Sequence, residues 1–371
     1  MSHGPLKTFF RFVQRPSDLS HNSFDHYYGS GRQPPGTKVR PKALRLPVMA
    51  ASRPAPYFQL IDGIPRSPLL DPDTVRAALK HRPRDGDVVL ITYPKSGSHW
   101  TLQIVQLILN RGESTSNFAE LVKRTPSLEA HGPKSLEDLP LPRVARTHFD
   151  LLRHNFNEKA KYIYVARNPW DVCKSFYHMA KGVPRFRFQN GTLDDFFETF
   201  LNTNYGFGHY FDHVLSGHSF KDYTNVLFLT FEELKAEKPS AVLKIAYFLG
   251  VEYGRMLEDD PDIFDSVLRK STIEYMRGAF DVDARAFTAV LTNFRDVNAG
   301  DASGTKSSGE ENAPKLEFFR KGKANDWKDV LTGEQMERLR DKVAALPQAS
   351  IIISLWKELK KQDNKKVKQS H

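Results

Sequence analysis

Residues 87–100 read Asp-Val-Val-Leu-Ile-Thr-Tyr-Pro-Lys-Ser-Gly-Ser-His-Trp. From Asp87 to Tyr93 this is a short, almost continuous apolar run. Such a run suits a strand covered on both faces in a parallel sheet, not one with a wet face. The next five residues, Pro94-Lys95-Ser96-Gly97-Ser98, are polar and turn-forming. Beyond them Trp100, Ile104, Leu107 and Ile108 recur at helical spacing, so Ser98 to Asn110 reads as a helix. A loop between a strand end and a helix start offers backbone amides and the positive end of the helix dipole. The dipole adds roughly 0.3–1 kcal/mol for an anion. Gly97 lets the backbone approach a phosphate, Lys95 adds a charge, and the serines add donors. The order is not that of a Walker A loop, where the glycine precedes Lys-Ser/Thr. Taken by itself the loop indicates a phosphate and nothing more.

The same strand–helix alternation recurs on either side. Lys161 to Arg167 is a second buried strand, and Asn168-Pro169 opens a helix with Asn as N-cap and Pro at its first position. Asn225 to Phe231 is a third strand, followed by a long helix from Lys235 to Leu249. Arg143-Val144-Ala145 reads as a short central strand. Further helices fall near 192–203, 207–217, 259–270, 333–345 and 350–361. The fold class is therefore α/β: a single domain with a central parallel sheet flanked by helices. Open sheets of this kind bind ligands at the carboxyl ends of their strands. Arg167 ends the second strand, and Ser175 lies two turns into the next helix. An Arg at that edge grips a phosphate with two parallel bonds, although an ion pair with Asp171 would also account for it. Arg146-Thr147-His148 ends the short strand, which brings His148 to the same edge.

Composition narrows the function classes. The chain has 371 residues, 40% hydrophobic and 12% aromatic, enough for a large core. One cysteine, Cys173, excludes an intrachain disulfide and a cysteine metal cluster, and favours a reducing, cytoplasmic setting. The net charge of +10 sits in the tails. Residues 1–48 contribute +6 and residues 357–371 contribute +4, leaving the body neutral. A nucleic-acid-binding domain would carry its basic face on folded structure, so no nucleic-acid partner is expected. No apolar run approaches the roughly 20 residues of a membrane span. Residues 1–56 read as a basic leader without fixed structure, 57–356 as the functional domain, and 357–371 as a Lys-rich tail. Pro16, Pro34, Pro35 and Pro41 break any long amphipathic helix in the leader, which is otherwise loosely like an organelle-targeting segment. Met49 is a second candidate start. Residues 298–312 are dense in Gly, Ser, Asp and Glu and read as a flexible loop, either a lid or plain disorder.

Together these segments resemble the cytosolic sulfotransferases. Thr92-Tyr-Pro-Lys-Ser-Gly-Ser-His-Trp100 is similar to that family's 5′-phosphosulfate loop. Arg146-Thr147-His148 resembles its Lys-Thr-His segment. Tyr164-Val-Ala-Arg-Asn-Pro-Trp-Asp-Val172, continued by Ser175 and Tyr177, resembles its 3′-phosphate segment. Phe319-Arg-Lys-Gly, followed by Asp326-Trp327-Lys328, resembles its late nucleotide motif. The four stand in the family's order and cover roughly residues 56–345.

The resemblance implies transfer of a sulfonate from 3′-phosphoadenosine 5′-phosphosulfate to an acceptor hydroxyl or amine, without a metal. Lys95, Ser96, Gly97, Ser98 and His99 would hold the 5′-phosphate and the sulfonate, and Trp100 would contact adenine. Arg167, Ser175, Arg320, Lys321 and Gly322 would hold the 3′-phosphate, with Ser271 and Ile273 as further nucleotide contacts. The family's adenine-contacting tyrosine would be Tyr205 or Phe207. His148 would be the general base, with Lys95 and Arg146 beside the transferring group. Tyr57, Phe58, Phe118, Phe149 and Phe287 would line the pocket of a small acceptor: a phenol, catechol, aromatic amine, steroid or alcohol. Lys328 to Glu337 resembles the family's dimer segment and implies a homodimer, with Gly333 in place of its Val. Arg146 stands where the family often has Lys, Ser98-His99 where it often has Thr-Thr, and Asn325 where it has Gly. A small-molecule kinase would need a Walker A order and a metal-holding acid. A non-catalytic nucleotide-binding protein would need neither Lys95 nor His148.

Overall fold

The structure is a computed structural model and describes residues 53–203, 206–280, 287–290, 327 and 330–359. A short hairpin of β1 (Gln59–Ile61) and β2 (Ile64–Arg66) precedes α1 (Pro72–Lys80). Then come β3 (Val88–Thr92), α2 (Ser98–Leu109), α3 (Phe118–Arg124), α4 (Leu128–His131) and β4 (Val144–Thr147). β5 (Lys161–Ala166) leads into α5 (Pro169–Gly182), α6 (Leu193–Asn202) and α7 (Tyr210–His218). β6 (Val226–Thr230) leads into α8 (Phe231–Ala236), α9 (Lys238–Leu249), α10 (Val251–Asp259), α11 (Pro261–Lys270) and α12 (Ile273–Ala279). Helices Gly333–Ala344 and Ala349–Leu355 end the described chain, before a short turn over Lys357–Leu359.

Four strands form one parallel sheet in the order β4-β3-β5-β6. Their apolar runs are continuous because both faces are covered. Val89, Ile91, Tyr162 and Tyr164 enter one core, while Val88, Leu90, Ile163 and Val165 enter the other. Side chains alternate across a strand, so these two cores lie on opposite faces. Register aligns the carboxyl ends: Ile91 pairs with Thr147, Thr92 with Val165, and Ala166 with Thr230. Arg146, His148, Arg167 and the Tyr93–Gly97 loop therefore meet at one edge.

Two expectations change. The short strand is not central: among the described residues β4 is at the rim of the sheet, paired with β3 on one side and touched on the other by a bridge between Ser127 and Arg146. The long helix after β6 is two helices, broken at Glu237 (φ −126°, ψ 50°). Pro239 cannot donate to a carbonyl one turn earlier and would clash with it, so the helix restarts at Lys238. Asn168 caps α5 as expected, its side chain accepting from the Trp170 amide at 3.1 Å.

Candidate active site

The loop after β3 is shaped by two left-handed residues, Lys95 (φ 71°) and Gly97 (φ 104°). Gly97 is the N-cap of α2 and offers no side chain to the helix's first amides. A Cβ there would meet the Phe231 ring at 2.9 Å. Only glycine gives both the φ and the clearance. Ser96 is fully buried, and its Oγ has no hydrogen-bond partner. A buried, unsatisfied donor costs about 1–3 kcal/mol, which suits a ligand rich in acceptor oxygens.

Arg167, at the end of β5, ties this loop to the next strand. Its Nη1 donates to the Lys95 carbonyl at 3.0 Å, and its guanidinium lies 4.3 Å from the Phe231 ring centroid. Asp171 approaches Nη2 at 3.8 Å, so the ion pair anticipated as an alternative also forms. Phe231 meets Trp100 edge-on at 5.1 Å, and the Trp100 indole N–H donates to the Ser271 carbonyl at 2.8 Å. Asp171 also accepts from the Trp327 amide at 3.2 Å, and Trp327 packs on Trp170 at 4.3 Å.

His148, just past β4, is held from three sides. Its Nδ1 lies 2.7 Å from the Thr92 carbonyl, which accepts only, so Nδ1 carries the proton. That tautomer leaves the lone pair on Nε2. Glu129 Oε1 accepts from the His148 amide at 3.0 Å. His213 Nε2 lies 3.2 Å from the His148 carbonyl and donates to it, while its Nδ1 meets the Tyr164 hydroxyl at 2.6 Å. Burial lowers the His148 pKa to about 4, so the ring is neutral near pH 7.

Arg146 is buried beside it. Nη1 lies 2.9 Å from His99 Nε2, while Nε and Nη2 have no hydrogen-bond partner. Burial lowers its pKa to about 10, still charged at neutral pH. A guanidinium with two unsatisfied, buried donors is built for an oxyanion.

A family model, the sulfotransferase domain, matches residues 85–350. The amine sulfotransferase of Oryctolagus cuniculus is 34% identical over 260 residues, 69% of this chain and 78% of that protein. The chain belongs to the sulfotransferase family. Sulfotransferase 1B1 of Mus musculus is 32% identical over 270 residues, 68% of this chain and 80% of that protein. Among solved structures, mouse sulfotransferase SULT7A1 complexed with PAP has a TM-score of 0.56 at 22% identity, over 80% of this chain and 98% of that one. Retinol dehydratase in complex with retinol and PAP has a TM-score of 0.55 at 21% identity, over 75% and 88%. These two likenesses support the α/β fold.

The site of this sulfotransferase gathers most of the residues singled out by sequence. Lys95 to Trp100, Arg146, His148 and Arg167 share the sheet edge. Ser175 is half-buried on α5, Ser271 ends α11, and Ile273 starts α12. Arg320, Lys321, Gly322, Asn325, Tyr205 and the loop 298–312 lie outside the described residues. The Phe207 ring meets His148 at 5.4 Å. Beside Trp100 stands Phe231. Its signal is Thr230-Phe-Glu-Glu233, a capping box at the end of the third strand. Glu129, Thr92 and His213 carry no local signal. Of the acceptor candidates, Phe118 meets His99 at 5.2 Å and Phe287 at 6.4 Å. Phe149 is covered by Arg66 at 4.8 Å, and Tyr57 is 41% exposed beneath Arg187. Among the described residues no group of three His, Cys, Asp or Glu is placed to hold a metal, and no helix is long and apolar enough to cross a membrane.

Proposed function

We propose that this sulfotransferase moves a sulfonate from 3′-phosphoadenosine 5′-phosphosulfate to a hydroxyl or amine of a small apolar or aromatic acceptor, with His148 as base. The observation that carries the reading is the His148 tautomer. Thr92 holds the Nδ1 proton, which leaves Nε2 to accept one, next to two unsatisfied donors of Arg146. The half-buried imidazole is neutral near pH 7, so Nε2 is available to accept the acceptor's proton.

The donor's anionic oxygens fit the residues present. Ser96, Gly97, Ser98 and the start of α2 would hold the 5′-phosphate, with His99 beside them. Arg167, Ser175 and Arg320–Gly322 would hold the 3′-phosphate, and Trp100, Phe231, Ser271 and Ile273 would bound the adenosine. In the transfer, Nε2 of His148 receives the acceptor's proton as the acceptor–sulfur bond forms. The bridging oxygen–sulfur bond breaks, and its electron pair stays on the 5′-phosphate, where Lys95 and the loop amides meet the new charge. Arg146 steadies the sulfonate oxygens in flight. Phe118, Phe207 and Phe287 give the acceptor an apolar wall, and Phe58 and Phe149 extend the proposed lining. Retinol dehydratase is described in one solved structure with androsterone and in another with retinol. Both support an apolar acceptor, and the rabbit relative's name supports an amine. We retain a cytoplasmic setting and the homodimer implied by residues 328–337, whose described part opens a helix on the Thr332 cap.

The test is an acceptor panel of phenols, catecholamines, steroids and primary alcohols with sulfur-labelled donor. Labelled product from at least one class is expected. Tight binding of adenosine 3′,5′-bisphosphate with no transfer to any of them would leave a nucleotide-binding protein instead.

A further inference from the structure

Two positions at which the chain departs from the family's usual pattern, His99 in the phosphate loop and Arg146 in the catalytic segment, are bonded to each other. Nη1 of Arg146 lies 2.9 Å from Nε2 of His99. An arginine cannot accept, so His99 accepts, with its own proton on Nδ1. The two residues come from different elements, the first turn of α2 and the end of β4. The Phe118 ring packs on His99 at 5.2 Å and limits its swing. Burial, and the neighbouring charges of Arg146 and Lys95, keep His99 neutral, the state in which Nε2 accepts.

The contact has a geometric consequence. A lysine in this position is a flexible point charge that needs no orientation. A guanidinium is a flat fork, and its value depends on where the fork faces. With Nη1 committed to His99, rotation of the plane is restricted, and Nε and Nη2 remain as buried donors without partners. Glu129, whose Oε1 binds the His148 amide, has a second oxygen also without a partner. Arg146 therefore sits between His99, the base-bearing strand end and the buried carboxylate.

We propose that His99 is a positioning residue for transfer: it holds Arg146 so that Nε and Nη2 face the sulfonate. The inference rests on the transferase reading and adds a pair that acts as one unit. Replacing the usual lysine with arginine requires an acceptor at residue 99 to aim it, and a threonine there would be too short.

The experiment compares His99→Gln and His99→Asn, in wild type and in Arg146→Lys. Both amides are polar and of similar character, but only Gln is long enough to reach Nη1. In the Arg146 protein, His99→Asn should lower kcat about tenfold to a hundredfold, the cost of misplacing a reacting group. His99→Gln should recover most of that loss. The dissociation constant of adenosine 3′,5′-bisphosphate, which lacks the sulfonate, should stay within about twofold in both, as expected of a group acting only in transfer. In the Arg146→Lys background the two amides should give equal rates, because no fork is left to aim. Equal rates for Gln and Asn beside Arg146 would overturn the inference. So would an Asn penalty that persists in the Arg146→Lys background, or a parallel loss of bisphosphate affinity, which would make His99 a phosphate ligand. So would the absence of any rate loss throughout. Absence of transfer by the wild-type protein itself would instead defeat the transferase reading.

Discussion

The two ends of the site are built by different means. At the end proposed for the nucleotide the groups are backbone amides, permanent cations and aromatic faces: the 93–98 loop, Arg167, Trp100 and Phe231. They are assembled by loops that leave β3 and β5 and by the first residue after β6. At the end proposed for transfer the groups are titratable and buried or half-buried: His148, His99, Arg146 and Glu129. Each is held there by an atom far away in the chain. Binding needs charge in roughly the right place. Proton transfer needs one tautomer of one ring, and that takes a specific acceptor on the other side of it.

The largest effect should separate the ends. His148→Ala removes the proposed base, so kcat should fall about 10²–10⁴-fold, the usual contribution of a positioned acid–base group. Adenosine 3′,5′-bisphosphate affinity, measured by calorimetry, should change little, because His148 lies at the other end. Turnover near the wild-type rate would break the distinction and remove His148 from the chemistry.

Arg167→Ala should do the opposite. It removes a charge, the bond to the Lys95 carbonyl and the cover over Phe231. A hydrogen bond to a charged group is worth about 1.5–3 kcal/mol, so bisphosphate affinity should fall about tenfold to a hundredfold. Arg167→Lys should restore only part, since an ammonium cannot span the phosphate and the carbonyl as the fork does. At saturating donor kcat should drop less than affinity. A pure kcat defect would place Arg167 at the transfer end.

The same division governs how much could be read from sequence. The 93–98 loop was legible because its chemistry is local: an apolar strand, a left-handed glycine and a helix start are adjacent in the chain. The strand–helix alternation supplies the α/β fold, and the four motifs together the family. His148 was legible as a residue but not as a tautomer, because Thr92 lies 56 residues away, Glu129 19 and His213 65. The pairing of His99 with Arg146 spans 47 residues and could be seen only as two separate departures. Phe231 was missed for a different reason. It reads as an ordinary strand residue and gains its place only when β6 stops at Thr230 and the chain turns beneath Gly97. The split of the long helix at Glu237 has its local signal in Pro239.

The smallest effect concerns stability, and within the proposed site it should come from the transfer end. Burial holds His148 and His131 near pKa 4, below the ordinary histidine value of 6.5, and lowers His213 and His99 as well. His131 bridges Ser127 and the Val290 carbonyl, behind the same strand end. Between about pH 4 and 6.5 the unfolded chain binds protons that the folded one refuses. Stability therefore rises with pH across that window. The contribution is complete above pH 6.5 and is lost as pH falls toward the folded values. The cations of the nucleotide end stay protonated throughout and add no slope. Thermal unfolding followed from about pH 7.5 to about pH 4.5 should show a midpoint that falls on acidification, and the fall should be shallower in His148→Ala. An identical slope in the variant would mean that His148 is solvated in the folded protein. Its tautomer would then not be held by Thr92, and the contrast between the two ends would rest on charge alone.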